Sequence, residues 1–377
     1  MCEYCRACNQ ILPDTDILVY ENMPKSAQFF PDKSEIDKEK GISIRLRQCN
    51  YCGLVQAVGE PVSYYRDVIR ASSFSKEMME FRRQQYSKWV NDNNLIGKKV
   101  VEIGCGKGEY MTPMESTGAV VSGIEHLASS VEVAKKNGHS VMQGFIENSD
   151  TKIENSPYDG FIIMNFLEHI PNPSDFLMGI GSNLSEEGVG IVEVPNFDMM
   201  IRKSLYSEFI QDHLSYFTKD SLVGLLMRSG FEVISCKEIW HGYILSAEVK
   251  KRKAFDAGAF VDKHNELKKE VHDFLNGQQA AGKTIAVWGA GHQALANLSL
   301  LNMTEYIECV LDSADFKQNK YTPATHLPVV SPIVLREGKI DTVIVMAGSY
   351  SEEIKNIISR DYPWVYAVIL GENGLEV

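Results

Sequence analysis

Two C-x-x-C pairs, Cys5/Cys8 and Cys49/Cys52, constrain the start of this chain more tightly than any other run. Each pair is followed at once by a residue that tolerates positive φ, Asn9 after the first and Gly53 after the second. A thiolate knuckle reverses sharply after its second cysteine, and Asn or Gly makes that reversal without strain. Two knuckles offer four sulfurs, the ligand set of a tetrahedral structural zinc site. Cys2 is a weaker candidate, because the pair Cys2/Cys5 is followed by Arg6, a poor turn residue. Zinc is therefore expected on Cys5, Cys8, Cys49 and Cys52, within a module spanning residues 1–65. So short a module buries little apolar surface, and a metal staple suits it. The polar stretch Phe29–Gly41 between the pairs reads as a loop or short hairpin.

With 377 residues, the chain has room for two or three domains. An apolar content of 44% and a charged content of 23% are those of a soluble globular protein. No apolar run is long enough to cross a bilayer, and the N-terminus lacks a hydrophobic signal core, so a cytoplasmic location is expected. In that compartment cysteines serve as metal ligands or buried thiols rather than disulfides. The net charge of −12 argues against nucleic acid or an anionic membrane as partner. An anionic small substrate held by local cations and helix N-termini remains compatible with it. The sequence leaves the oligomeric state open and is compatible with a monomer.

A helix is expected over 75–90, where Met78, Tyr86, Trp89 and Val90 recur at helical spacing. From Lys98 short β-rich runs (98–104, 119–125, 161–166 and 188–194) alternate with helix-like segments (127–138 and 174–184). That alternation predicts a doubly wound α/β sheet over 66–254. Two close runs, 231–240 and 243–251, predict an antiparallel pair at its edge. Near 255 a long polar helix opens a second Rossmann-like α/β series that runs to 377.

The first series carries the clearest chemistry. In Val100-Val-Glu-Ile-Gly-Cys-Gly-Lys-Gly108 a strand ends in glycines at alternate positions. Gly104 and Gly106 let the backbone turn against a ligand that faces the next helix N-terminus. Glu102 precedes the turn, where dinucleotide folds carry an apolar residue, and its carboxylate suits an amino group. Glu125 ends the next strand and suits two ribose hydroxyls. This pair of signals resembles the class I S-adenosylmethionine-dependent methyltransferases. The resemblance implies that Phe145 lies by adenine and Asn165 by the methionine moiety of S-adenosylmethionine.

The order of a four-cysteine module, a methyltransferase core and a C-terminal α/β domain resembles the deoxysugar C-methyltransferases, which methylate carbon 3 of nucleotide-linked 4-keto-deoxysugars. The marks here are CRAC, CNYCGLVQ, EIGCGKG, NFLEHIP, VEVPN, QDHLSYFT and LDSADFKQNKYTPATHLPVVSP, and they extend over essentially the whole chain. The resemblance implies His213 as catalytic base, with Asp212 beside it, and His169 facing the same cleft. Enolisation needs such a base and a donor to the enolate oxygen, and imidazole suits the first role near neutral pH. The family often has Tyr three residues before the histidine, where this chain has Ile210; Tyr206 and Tyr216 are the nearby substitutes. O- or N-methylation, which needs no enolate donor, is thus an alternative, as is a non-catalytic S-adenosylmethionine-binding partner protein.

In the last block Gly289-x-Gly291-x-x-Ala294 follows a strand, with Asp312 at the end of the next. Alone this is a dinucleotide fingerprint and points to a nicotinamide dehydrogenase. The resemblance instead implies the nucleotide-diphosphate end of a sugar substrate, with Lys317 and Tyr321 beside it. His241-Gly242 resembles a His-Gly-Gly turn of the family and is expected at the sugar.

Overall fold

The alternation of β-rich and helical runs becomes two seven-stranded sheets, one in each of two compact units, Met1–Ala254 and Phe255–Val377. The computed structural model describes residues 3–25, 30–62, 64–67, 75–372 and 374–376; Cys2 lies outside them.

In the first unit β1 (Leu18–Met23), β2 (Ile42–Gln48) and β3 (Val55–Ala57) form an antiparallel series. Helix α1 (Lys76–Asp92) starts at Ser75, whose hydroxyl accepts the Met78 N–H and so caps a free donor of the first turn. It buries Tyr86, Trp89 and Val90, and also Arg82, which the apolar spacing alone does not foresee. The chain continues as β4 (Lys99–Ile103), α2 (Met111–Glu115), β5 (Val120–Glu125), α3 (Ala128–Lys136), β6 (Val141–Gln143), β7 (Tyr158–Met164), α4 (Pro173–Gly181) and β8 (Leu184–Pro195). After α5 (Phe197–Arg202), β9 (Ser215–Tyr216) and α6 (Lys219–Arg228), an antiparallel pair β10 (Phe231–Ile239) and β11 (Ile244–Lys251) closes the edge. Sheet order is β10-β11-β8-β7-β4-β5-β6. β4 and β7 are buried on both faces, which explains their nearly continuous Val/Ile/Phe content.

The cysteine module does not stand apart within this unit. Its sheet runs β1-β2-β3-β9, so its last strand is supplied from beyond residue 210. Cys5, Ala7, Cys49 and Leu54 share one apolar core with Ile103, Ile163, Leu167, Ile170 and Phe217. A short module thereby gains the buried area it lacks alone.

The second unit opens with α7 (Gly258–Ala280), followed by β12 (Ile285–Trp288), α8 (His292–Leu300), β13 (Ile307–Leu311), β14 (Lys320–Tyr321), β15 (Pro328–Val330), β16 (Thr342–Val345), α9 (Ser351–Asp361), β17 (Tyr366–Gly371) and β18 (Gly374–Glu376). Its order, β14-β15-β13-β12-β16-β17-β18, reverses direction between β12 and β16. Ligands of open α/β sheets bind at such a reversal. Among the described residues, no helix is long and apolar enough to cross a membrane.

Candidate active site

At the end of β4, Gly104 has φ 70° and Gly106 has φ 58°. A Cβ on Gly104 would stand 2.9 Å from the Phe166 ring, so only glycine fits there. Glu125, at the end of β5, fixes the turn: one carboxylate oxygen accepts the Gly106 N–H at 2.9 Å and the other the Leu127 N–H at 2.8 Å. Each oxygen keeps a lone pair for a further donor. Glu102 is fully buried before the same turn.

Asn165 leaves β7 with φ 49°, its N–H donating to the Glu193 carbonyl at 2.9 Å. Its side-chain oxygen is buried with no hydrogen-bond partner among the described residues. A buried orphan acceptor is costly unless a ligand donor meets it. Phe145, after β6, is partly buried against Phe176, with the Tyr65 and His126 rings edge-on and the Arg66 guanidinium 5.0 Å above it. A strained glycine turn, two buried acids, an orphaned amide and an aromatic wall are fit to hold an adenosyl amino acid. They come from β4, β5, β6 and β7, as the topology of a doubly wound sheet requires.

Below that site lies an ion pair that sequence reasoning missed. The Arg82 guanidinium meets the Glu193 carboxylate at 2.6 Å, both side chains fully buried. Gln85 and Ser246 also donate to Glu193, at 2.6 and 2.9 Å. The available signal was position: Arg82 lies four residues from both Met78 and Tyr86, on the apolar stripe of α1.

His169 and His213 come together, their ring centroids 4.9 Å apart. His169 Nδ1–H donates to the Asp212 carbonyl at 2.8 Å, and Leu214 N–H donates to the Glu168 carbonyl at 2.8 Å. The turn after β7 and the segment before β9 are therefore tied in both directions. Burial pushes the His169 imidazole down to about 4. Burial, with His169 as neighbour, pushes His213 down to about 3. Both rings are neutral at neutral pH, and the burial that keeps them so also disfavours the protonated form a base must pass through, contrary to the near-neutral value expected of the base. Glu168 also presents an oxygen within 4.8 Å of both imidazoles. The Asp212 carboxylate accepts the Tyr64 hydroxyl at 2.8 Å; burial pushes this carboxyl up while Tyr64 pulls the other way. Tyr64 is a further residue that the sequence did not reveal.

Of the nearby tyrosines, Tyr206 is exposed. The buried Tyr216 hydroxyl donates to the Ile210 carbonyl at 3.1 Å and accepts its N–H at 3.3 Å. His241 has φ 58° in the turn between β10 and β11 and is exposed, with Nε2 3.8 Å from Glu77. The buried Asn196 holds that turn by donating to the Gly242 carbonyl at 2.7 Å.

The four cysteine sulfurs lie within 4.8 Å of one another. Cys5–Cys52 and Cys8–Cys49 approach to 3.4 and 3.6 Å. Zn–S bonds of about 2.3 Å in a tetrahedron place sulfurs about 3.8 Å apart, so the set fits such an ion. The knuckles are alike: Asn9 N–H returns to the Cys5 carbonyl at 2.8 Å and Gly53 N–H to the Cys49 carbonyl at 2.9 Å, with φ 56° and 74°.

In the second unit, Gly289 has φ 119°, and a Cβ there would meet the Met346 carbonyl oxygen at 2.6 Å. Gly291 caps α8. A cavity of about 560 Å³ opens at the β12/β16 reversal, lined by Trp288, Gly291, His292, Asp312, Tyr350 and Ile354 among others. Asp312 faces inward: it accepts the Ala290 and Ala314 N–H groups, each at 2.9 Å, and the Lys317 ammonium at 2.9 Å. The ammonium expected at a diphosphate thus already has an anionic partner. Tyr321 is 70% exposed on β14.

The two units share this sheet and turn, so the class rests on the chain's relatives: it is an S-adenosylmethionine-dependent methyltransferase. A methyltransferase-domain family matches residues 78–236 and a C-methyltransferase C-terminal domain family matches 246–365. The chain is 22% identical to the C-methyltransferase NovU of Streptomyces niveus over 93% of its own length and 90% of that protein. A ubiquinone biosynthesis O-methyltransferase of Actinobacillus pleuropneumoniae is 34% identical over 26% of this chain and 45% of that one. The structure of magnesium protoporphyrin IX methyltransferase from Synechocystis aligns with a TM-score of 0.39 and 16% identity, over 50% of this chain and 92% of the other. The two family matches and the likeness to NovU along nearly the whole chain support a place in an S-adenosylmethionine-dependent C-methyltransferase family.

Proposed function

We propose that this enzyme transfers a methyl group to the carbon beside the 4-keto group of a nucleotide-activated deoxysugar, with His213 as base. The observation that carries the reading is the convergence of two neutral imidazoles with Asp212 and Tyr64. S-adenosylmethionine, when bound, supplies an electrophilic methyl on its sulfonium. Glu102, Glu125, Asn165 and Phe145 hold its amino, ribose, methionine and adenine parts. His213 removes the proton made acidic by the neighbouring carbonyl. The His169 Nδ1–H bond to Asp212 fixes the ring that packs on His213. The Tyr64 hydroxyl donates its one proton to the Asp212 carboxylate and so braces Asp212; it does not fill the donor part at the enolate oxygen that Ile210 cannot play. Cys5, Cys8, Cys49 and Cys52 hold a structural zinc ion. The second unit's cavity, with Gly289 and Gly291 in its lining, suits a nucleotide, whereas Tyr321 is exposed on the edge strand β14 and is not in that lining.

Incubation with S-adenosylmethionine and nucleotide 4-keto-deoxysugars is expected to add one methyl by mass, located on carbon by NMR of the released sugar. The His213→Asn variant is expected to lose about 10²–10⁴-fold in kcat with unchanged S-adenosylmethionine affinity. Unchanged turnover removes His213 from the role of base. Methylation on oxygen or nitrogen favours the second reading, for which Ile210 in place of a tyrosine is the specific observation.

A further inference from the structure

The second knuckle is the turn between β2 and β3, since Cys49 follows Gln48 directly and Cys52 lies just before Val55. β3 then pairs with β9, in register Val55 to Tyr216 and Gln56 to Ser215. Ala57 N–H donates to the Leu214 carbonyl at 3.0 Å. The segment that carries His213 is therefore strand-paired to the thiolate module within two residues of the imidazole. Leu214 N–H in turn holds the Glu168 carbonyl, next to His169, at 2.8 Å.

Gln56 joins these parts. Its side chain is 2% exposed and fully engaged with the first knuckle: Oε1 accepts the Arg6 N–H at 2.8 Å, and Nε2 donates to the Tyr4 carbonyl at 3.2 Å. Arg6 lies between Cys5 and Cys8. One residue thus holds the first knuckle with its amide and the strand that follows His213 with its backbone register. A buried amide that spans two backbone groups is costly to break, because both groups lose their partner away from water.

We propose that Gln56 is a positioning residue that couples the four-thiolate site to the His169/His213 pair, so that metal occupancy sets the placement of the base. This rests on the reading of the thiolates as a zinc site and of the histidines as the catalytic pair. The zinc would then do more than staple a terminal module.

The test uses the full zinc-loaded chain. Gln56→Met is expected to move the imidazole NMR signals of His169 and His213. It is expected to lower kcat on the order of tenfold, as small displacements of a base do, with the S-adenosylmethionine Kd unchanged. Stripping zinc from the unmodified chain with a chelator is expected to move the same signals while S-adenosylmethionine still binds, and this decides the matter if Gln56→Met does not fold. Imidazole signals unmoved by both treatments overturn the proposal. So does a loss of zinc that abolishes S-adenosylmethionine binding and secondary structure together, since the site is then only a folding element. If the unmodified chain methylates no sugar nucleotide, the proposed function fails, and the imidazole response still decides the coupling.

Discussion

The two glycine turns are built alike and closed differently. In each, the acid at the end of the second strand accepts one N–H from the turn and one from the residue two places beyond itself: Gly106 and Leu127 for Glu125, Ala290 and Ala314 for Asp312. The first difference is what else the acid meets. Asp312 also holds Lys317, whereas Glu125 forms no salt bridge among the described residues. The second difference stands two residues before the first glycine, a buried Glu102 in one turn and Val287 in the other. Only the first turn therefore has a buried carboxylate before its glycines and a strand-end acid with no salt bridge among the described residues. One frame thus carries its strand-end acid without an ammonium partner in the first unit and with Lys317 in the second. The bare G-x-G pattern does not separate them.

The largest effect that would break this comparison is on cofactor affinity. Glu125→Ala is expected to weaken S-adenosylmethionine binding about 10–100-fold by calorimetry, the range for hydrogen bonds to a charged group. Asp312→Ala is expected to leave that affinity unchanged; equal losses would show that the turns are not distinct in function. Next comes steric demand. Gly289→Ala is expected to destabilise the chain by about 1–3 kcal/mol, through its backbone angle and the Met346 carbonyl. Gly291→Ala, whose Cβ meets nothing, is expected to cost under about 1 kcal/mol in the same denaturant titration.

Acid should separate the units further. The folded values of His169 and His213, about 4 and about 3, lie below their ordinary 6.5. The unfolded chain therefore takes up protons first, so this stability is complete above 6.5 and is lost as pH falls toward the folded values. For Asp312, burial pushes the carboxyl up, but Lys317 and the Ala314 and Ala290 amides outweigh it and hold it below its ordinary 3.8. Its contribution is present above 3.8 and is lost only as pH falls through the folded value. The first unit is thus expected to loosen at higher pH than the second, as read by amide exchange in each. The smallest expected effect is that of Lys317→Met, a loss of about 1 kcal/mol or less for a partly exposed pair, with an earlier acid midpoint in the second unit.

What the sequence showed and what it hid follow from range. Runs such as those around Val100 and Phe161 declare themselves because a buried parallel strand is apolar at every position. The glycine turns and the knuckle reversals are equally local, each set by backbone angles at one or two residues. β9, β14 and β18 are too short to show a period. Tyr64 and Asp212 stand 148 positions apart and Gln56 reaches Tyr4 across 52, so neither contact leaves a local mark. Arg82 was hidden by a different rule: a charge on an apolar stripe reads as solvated until its buried partner Glu193 is seen.

The pairing of β3 with β9 also sets an order of events during synthesis. A growing chain presents all four thiolates long before Ser215 and Tyr216 exist. At roughly 5–20 residues per second, the edge of β3 waits on the order of ten to thirty seconds for its neighbour. An unpaired edge is a template for the wrong strand during that interval. The sheet that carries the thiolates is thus begun well before β9, the strand that completes it, is made.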